Sequence, residues 1–120
     1  MRVRFELASY RPIEDGWYFA ELTSVRPETT QYGKSFEFKF RILDEKHHGR
    51  TICKFMQPTR GLIRWIAILT KTQEDPNLLE YELNDLIGCT CQVYIETFKG
   101  KNRIADIEPD DDGSGEDYGL

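Results

Sequence analysis

Cysteine and histidine are scarce in this chain of 120 residues: three cysteines, Cys53, Cys89 and Cys91, and the adjacent pair His47 and His48. An odd thiol count without a secretory leader argues against a disulfide framework, so reduced, buried cysteines are expected. No paired ligand spacing of the finger type exists, which leaves the histidines as turn residues and predicts no structural metal. The run Asp110-Asp111-Asp112-Gly113 fails as a calcium loop, because Gly119 stands where a bidentate Glu is required. Consecutive histidines, with no Gly-x-Ser-x-Gly elbow and no phosphate-binding loop, leave no nucleophile, base and orienting group to assemble. No catalytic residue, no cofactor and no enzymatic activity are therefore expected. Long apolar runs are missing too: the best, 62–69, is short and interrupted by Arg64, so no membrane span is predicted. The opening Met1-Arg2-Val3-Arg4-Phe5-Glu6 lacks the apolar stretch of an export signal, and a cytoplasmic address is expected.

Basic residues stop at Arg103. From Asp106 onward stand seven of the 21 acids, leaving 14 for the body against all 16 Lys and Arg. The net charge of −5 thus divides into a body of about +2 and a tail of −7, opposite signs on one chain.

Glycine and proline divide the body into short segments. A first strand is expected over 17–25, with Tyr18, Ala20 and Leu22 on one face and Trp17, Phe19 and Glu21 on the other; 27–33 is read as a connecting loop. Residues 35–42 alternate strictly, Phe36, Phe38, Phe40 and Ile42 against Glu37, Lys39 and Arg41, the signature of a half-buried strand. A polar turn over 44–50 leads to a third strand over 51–56. Leu62, Trp65, Ile66 and Leu69 then recur at helical spacing, and the helix should end before Asp75-Pro76. Residues 78–87 suggest a short helical segment with Asn84 as cap. A fourth strand follows over 90–97, with Cys91, Val93 and Ile95 opposite Gln92, Tyr94 and Glu96. Residues 98–102 turn into a last strand over 103–107. The fold class is all-β with one helix, in the order strand, strand, strand, helix, strand, strand. That is the order of a five-stranded oligonucleotide/oligosaccharide-binding (OB) barrel. A flat sheet packed on one helix is the rival, and closure is preferred because it removes strand edges. Residues 1–108 make the domain and 109–120 a disordered acidic tail.

Three stretches carry a resemblance: Gly16-Trp17-Tyr18-Phe19-Ala20-Glu21-Leu22, then Tyr32-Gly33-Lys34-Ser35-Phe36, then Leu86-Ile87-Gly88-Cys89-Thr90-Cys91-Gln92-Val93. Together they resemble small OB-fold single-stranded DNA-binding proteins of the phage type. The resemblance implies a non-catalytic protein that coats unpaired DNA in replication and recombination, in the cytoplasm of a cell that includes a phage-infected host. It also implies an acidic tail that recruits replication or recombination proteins, here through Asp110, Asp111, Asp112, Glu116, Asp117, Tyr118 and Leu120. The family's bacterial tails end in Pro-Phe, whereas this one reads Tyr118-Gly119-Leu120. RNA as ligand, and homo-oligomerisation, stay open.

Binding a single strand without sequence preference takes cations along the phosphates and flat rings on which bases stack. The cations expected to contribute are Lys34, Lys39, Arg41, Arg50, Lys54, Lys99, Lys101 and Arg103, although alternation such as that of Lys39 and Arg41 commonly marks a solvated face. Phe36, Phe38, Phe40, Tyr18 and Trp65 belong to apolar faces and are assigned to the core. Trp17, Phe19, Tyr32, Phe55, Tyr94 and Phe98 are the candidate stacking rings, Tyr94 first among them. The alternative is an OB-type module that contacts a protein through the same aromatics and binds no nucleic acid.

Overall fold

The computed structural model describes residues 1–2 and 12–110. It holds five strands, β1 (Gly16–Thr30), β2 (Gly33–Ile42), β3 (Thr51–Met56), β4 (Thr90–Phe98) and β5 (Lys101–Glu108), with α1 (Arg60–Thr70) and a 3-10 turn (Leu83–Leu86) between β3 and β4. Every pairing is antiparallel, and the sheet order is β3-β2-β1-β4-β5. This mostly β architecture with one helix is compatible with an OB-like fold. The sheet is not fully closed: no ladder joins β3 to β5, but the edges approach closely enough for Lys54 Nζ to donate to Ile104 O at 3.2 Å.

The inner face follows the sequence alternation. Ala20, Leu22, Phe38, Phe40, Ile42, Cys91, Val93, Ile95, Ile104 and Ile107 are buried there. Leu62, Trp65, Ile66 and Leu69 of α1 are buried with them in one core, and Trp65 meets Phe38 and Phe40 edge to face at 6.1 and 5.7 Å. Phe36 and Tyr18 are only partly covered against that core. Burial pushes the Cys91 thiol up to about 12, with Asp110 adding to the effect. Cys89 is half-buried and Cys53 is exposed on β3, so the expectation of three buried thiols holds fully only for Cys91.

β1 is longer than the sequence suggests. The residues read as a loop continue the strand, with Pro27 opposite Phe36 and Thr30 opposite Gly33, and the turn shrinks to Gln31 and Tyr32. Pro27 is tolerated because β4 pairs with β1 only as far as Glu21, with Leu22 bonded to Gly88 and Cys89 just beyond, so the next residues have a partner on one side only. A bulge between Leu22 and Ser24 resets the alternation and turns Val25 onto the core. The helix ends at Thr70, well before Asp75. Lys71 takes the left-handed position (φ 59°), with the Lys71 and Thr72 N–H groups donating to Ile68 and Ala67 carbonyls. In the 3-10 turn the cap is Glu82, whose carboxylate accepts from Asn84 N–H, so Asn84 is the capped residue and not the cap.

His47 lies in the β2–β3 connection and is occupied locally. Its Nε2 is 3.0 Å from Glu14 Oε1, Lys46 Nζ donates to Glu14 Oε2 at 3.2 Å, and Tyr18 Oη donates to Glu14 O at 2.6 Å. The bonds from His47 and then Lys46 hold the Glu14 carboxyl down from 4.5 to about 2. Because its folded pKa is depressed, Glu14 should contribute stability in full above about 4.5 and lose it as pH falls toward about 2. Glu14→Gln should therefore lower the melting temperature at neutral pH and leave it unchanged near pH 2; an equal loss at both would assign the effect to packing.

Candidate nucleic-acid interface

The aromatic candidates stand at several places on the sheet. Tyr32 at the β1–β2 turn, Phe55 on β3 and Phe98 at the end of β4 are all exposed. Tyr32 occupies the tip of the β1–β2 hairpin, and its carbonyl accepts from Gln57 Nε2 at 3.1 Å, which ties the tip to the end of β3. Between this hairpin and the end of β3 lies an open cavity of about 680 Å³ lined by Tyr32, Ser35, Lys54, Phe55, Met56 and Gln57. Phe98 precedes the Lys99–Gly100 turn, where both residues have positive φ (53° and 79°), as a two-residue hairpin turn of the I′ kind requires. The Arg103 guanidinium lies 4.2 Å from the centre of the Phe98 ring and Lys99 Nζ lies 5.3 Å from it.

The candidate cations differ in availability. Arg41 pairs with Glu21 at 2.6 Å, and Arg103 pairs with Glu96. Lys54 falls opposite Phe38 in the register, on the inner face, and its ammonium is held by the Ile104 carbonyl. Lys34, Lys39, Lys99 and Lys101 make no ion pair among the described residues, so they are the charges still open to phosphate. Lys39 sits opposite the exposed Cys53 on the outer face of β2 and β3. Partial burial raises the Cys53 thiol pKa, and neighbouring Glu37 raises it further. Arg50 is half-buried at the end of the β2–β3 connection.

Trp17, Phe19 and Tyr94 lie where β1 meets β4, in the middle of the sheet, and Phe98 follows Tyr94 on β4 at the same outward parity. Trp17 pairs with Tyr94, ring against ring at 5.4 Å and 66°, and Phe19 stands opposite Gln92. Beyond Tyr94 and Gln92 in the register come Asp106 and Glu108, so this apolar patch has acids for neighbours where a phosphate would want cations. Alternation identified these rings as outward-facing but could not tell which part of a curved sheet each would reach.

Pro109 and Asp110 lie beside the start of β4. Gln92 Nε2 donates to Pro109 O, Thr90 Oγ1 donates to Asp110 Oδ2 at 2.5 Å, and Lys71 Nζ reaches Asp110 Oδ1 at 3.0 Å. Partial burial acts to raise the Asp110 pKa, but the hydrogen bonds from Thr90 and Lys71 outweigh it and hold the carboxyl below its usual range. Asp111, Asp112, Glu116, Asp117, Tyr118 and Leu120 lie outside the described residues.

The sequence reading missed an apolar cavity of about 440 Å³ under the N-terminal half of α1, walled by Phe36, Leu62, Ile63, Ile66, Leu78 and Tyr81 with Arg60 at its rim. The neighbouring Leu78, Leu79 and Tyr81 were the available signal. Among the described residues no three His, Cys, Asp or Glu side chains converge on a metal position, and no helix is long and apolar enough to cross a membrane. Neither a family model nor a curated protein matches this chain.

Proposed function

We propose that this protein binds single-stranded DNA without sequence preference and without chemistry of its own, through an OB-like barrel, in replication or recombination. What supports the reading is that the exposed Tyr32, Phe55 and Phe98 and the unpaired Lys34, Lys39, Lys99 and Lys101 stand on β2, β3 and the β1–β2 and β4–β5 hairpins. Strands two and three, with the loops after strands one and four, are the surfaces that OB barrels offer to oligonucleotides. Rings at these places provide stacking planes for bases of any identity, and the lysines follow the backbone. The acidic tail recruits replication or recombination proteins in this reading. A cytoplasmic setting, including a phage-infected cell, belongs to the same proposal, as does an RNA strand as a further ligand.

Titration with poly-dT at two salt concentrations tests it. Affinity should fall steeply with salt, and replacing Lys34, Lys99 and Lys101 together with Ala should reduce the slope of log affinity against log salt by about 2, at 0.7 per lost phosphate contact. An unaltered slope would remove these lysines from the interface. The Trp17, Phe19 and Tyr94 patch favours a second reading, a protein-binding module. Absence of poly-dT binding at low salt would decide for it.

A further inference from the structure

We infer that the outer face where β1, β4 and β5 adjoin binds an extended segment of a partner protein that carries Arg or Lys at alternate positions. The inference stands apart from the nucleic-acid reading, because it uses other residues and no phosphate contact.

Two rows of side chains cross this face. Trp17, Tyr94 and Asp106 stand opposite one another on successive strands, and so do Phe19, Gln92 and Glu108. Cross-strand neighbours of this kind are close enough to act on one ligand, so each row runs from a ring on β1 to a carboxylate on β5. Trp17 and Phe19 are 42% and 52% exposed, an apolar area that the described residues leave uncovered. Exposed apolar surface rimmed by polar groups marks a contact with another molecule.

The charge of the face selects that molecule. Glu108 makes no ion pair among the described residues. Asp106 accepts from Ile107 N–H through Oδ1, and Arg64 approaches it only to 3.5 Å, with both side chains about half exposed. Such a contact is readily exchanged for another cation. Arg103, the next base along β5, is engaged with Glu96 and the Phe98 ring. Acidic neighbours beside exposed rings repel phosphate and favour guanidinium or ammonium groups.

Spacing selects the conformation. Asp106 and Glu108 are two residues apart on one strand, about 7 Å, which is also the distance between alternate side chains of a second extended chain. Tyr94 stands between Trp17 and Asp106 in its row, so a guanidinium paired with Asp106 also meets a ring. The apolar stems of such basic side chains, lying toward β1, cover Trp17 and Phe19.

Two capped peptides of equal charge test the inference on the full-length, 15N-labelled protein at low salt. One is Gly-Ser-Arg-Thr-Arg-Ser-Gly; its isomer, Gly-Ser-Arg-Arg-Thr-Ser-Gly, turns only one arginine toward the sheet when extended. Amide shifts should centre on 92–94 and 106–108, and the first peptide should bind about threefold more tightly. Asp106→Asn with Glu108→Gln preserves the side-chain shapes and should weaken binding by about five- to tenfold. Trp17→Ala should weaken it by about two- to fivefold. Unchanged affinity in the Asp106→Asn, Glu108→Gln variant would overturn the inference, because the attraction would then come from acids outside this face. Equal affinity for the two isomers, shifts centred elsewhere, or no shifts at millimolar peptide would overturn it as well.

Discussion

Phe55→Ala and Phe98→Ala are each expected to weaken poly-dT binding by about 1–3 kcal/mol, and the double variant by on the order of a hundredfold or more. The two rings lie on β3 and at the end of β4, on separate strands, so they would stack on different bases of one strand. Both are about half exposed, which makes their contribution to the core small, and melting temperatures should move little. Trp17→Ala and Tyr94→Ala supply the contrast. They should separate from each other as a ring pair with some loss of stability, yet leave the affinity for poly-dT unchanged. Fluorescence titration of all four variants decides between the faces: loss of affinity at Trp17 and Tyr94 with none at Phe55 and Phe98 would move the interface to the β1–β4 side.

The largest loss of stability should come from Trp65→Ala, about 3–5 kcal/mol. Trp65 is 5% exposed and is the ring through which α1 meets the sheet, edge on to Phe38 and Phe40. Its removal leaves a void bordered by two fully buried rings that cannot collapse into it without disturbing β2. Against a typical total of about 5–15 kcal/mol, this should shift the urea midpoint markedly with the slope preserved. Trp65→Phe should recover a large part of the loss. If the alanine variant unfolds at the parent's midpoint, the helix contributes little to the sheet, and the packing described above is wrong.

What could be read in advance followed from periodicity. The strict alternation of 35–42 and the helical stripe of Leu62, Trp65, Ile66 and Leu69 specify which face each segment buries, and the described residues bury those faces. Where reading failed, a tertiary circumstance intervened. Pro27 signals a break wherever a strand needs two neighbours, and β1 has only one at that point. Lys54 has the chemistry of a phosphate contact, but its place opposite Phe38 turns it toward the β5 carbonyl. Trp17, Phe19 and Tyr94 were legible as outward; where each of the six candidate rings stands on the sheet depends on strand pairing, which no local pattern encodes. The α1 cavity arises between segments distant in sequence and leaves only the apolar Leu78, Leu79 and Tyr81 as a trace.

The extension of β1 beyond its partner has a colloidal consequence. A strand with one edge bare offers a template on which the same segment of another molecule can add, the first step toward insoluble assemblies. Pro27 withholds a donor from that edge, and Arg26 and Glu28 flank it with charges of opposite sign. The hairpin that carries Tyr32 outward can therefore extend from the sheet without serving as a seed for aggregation.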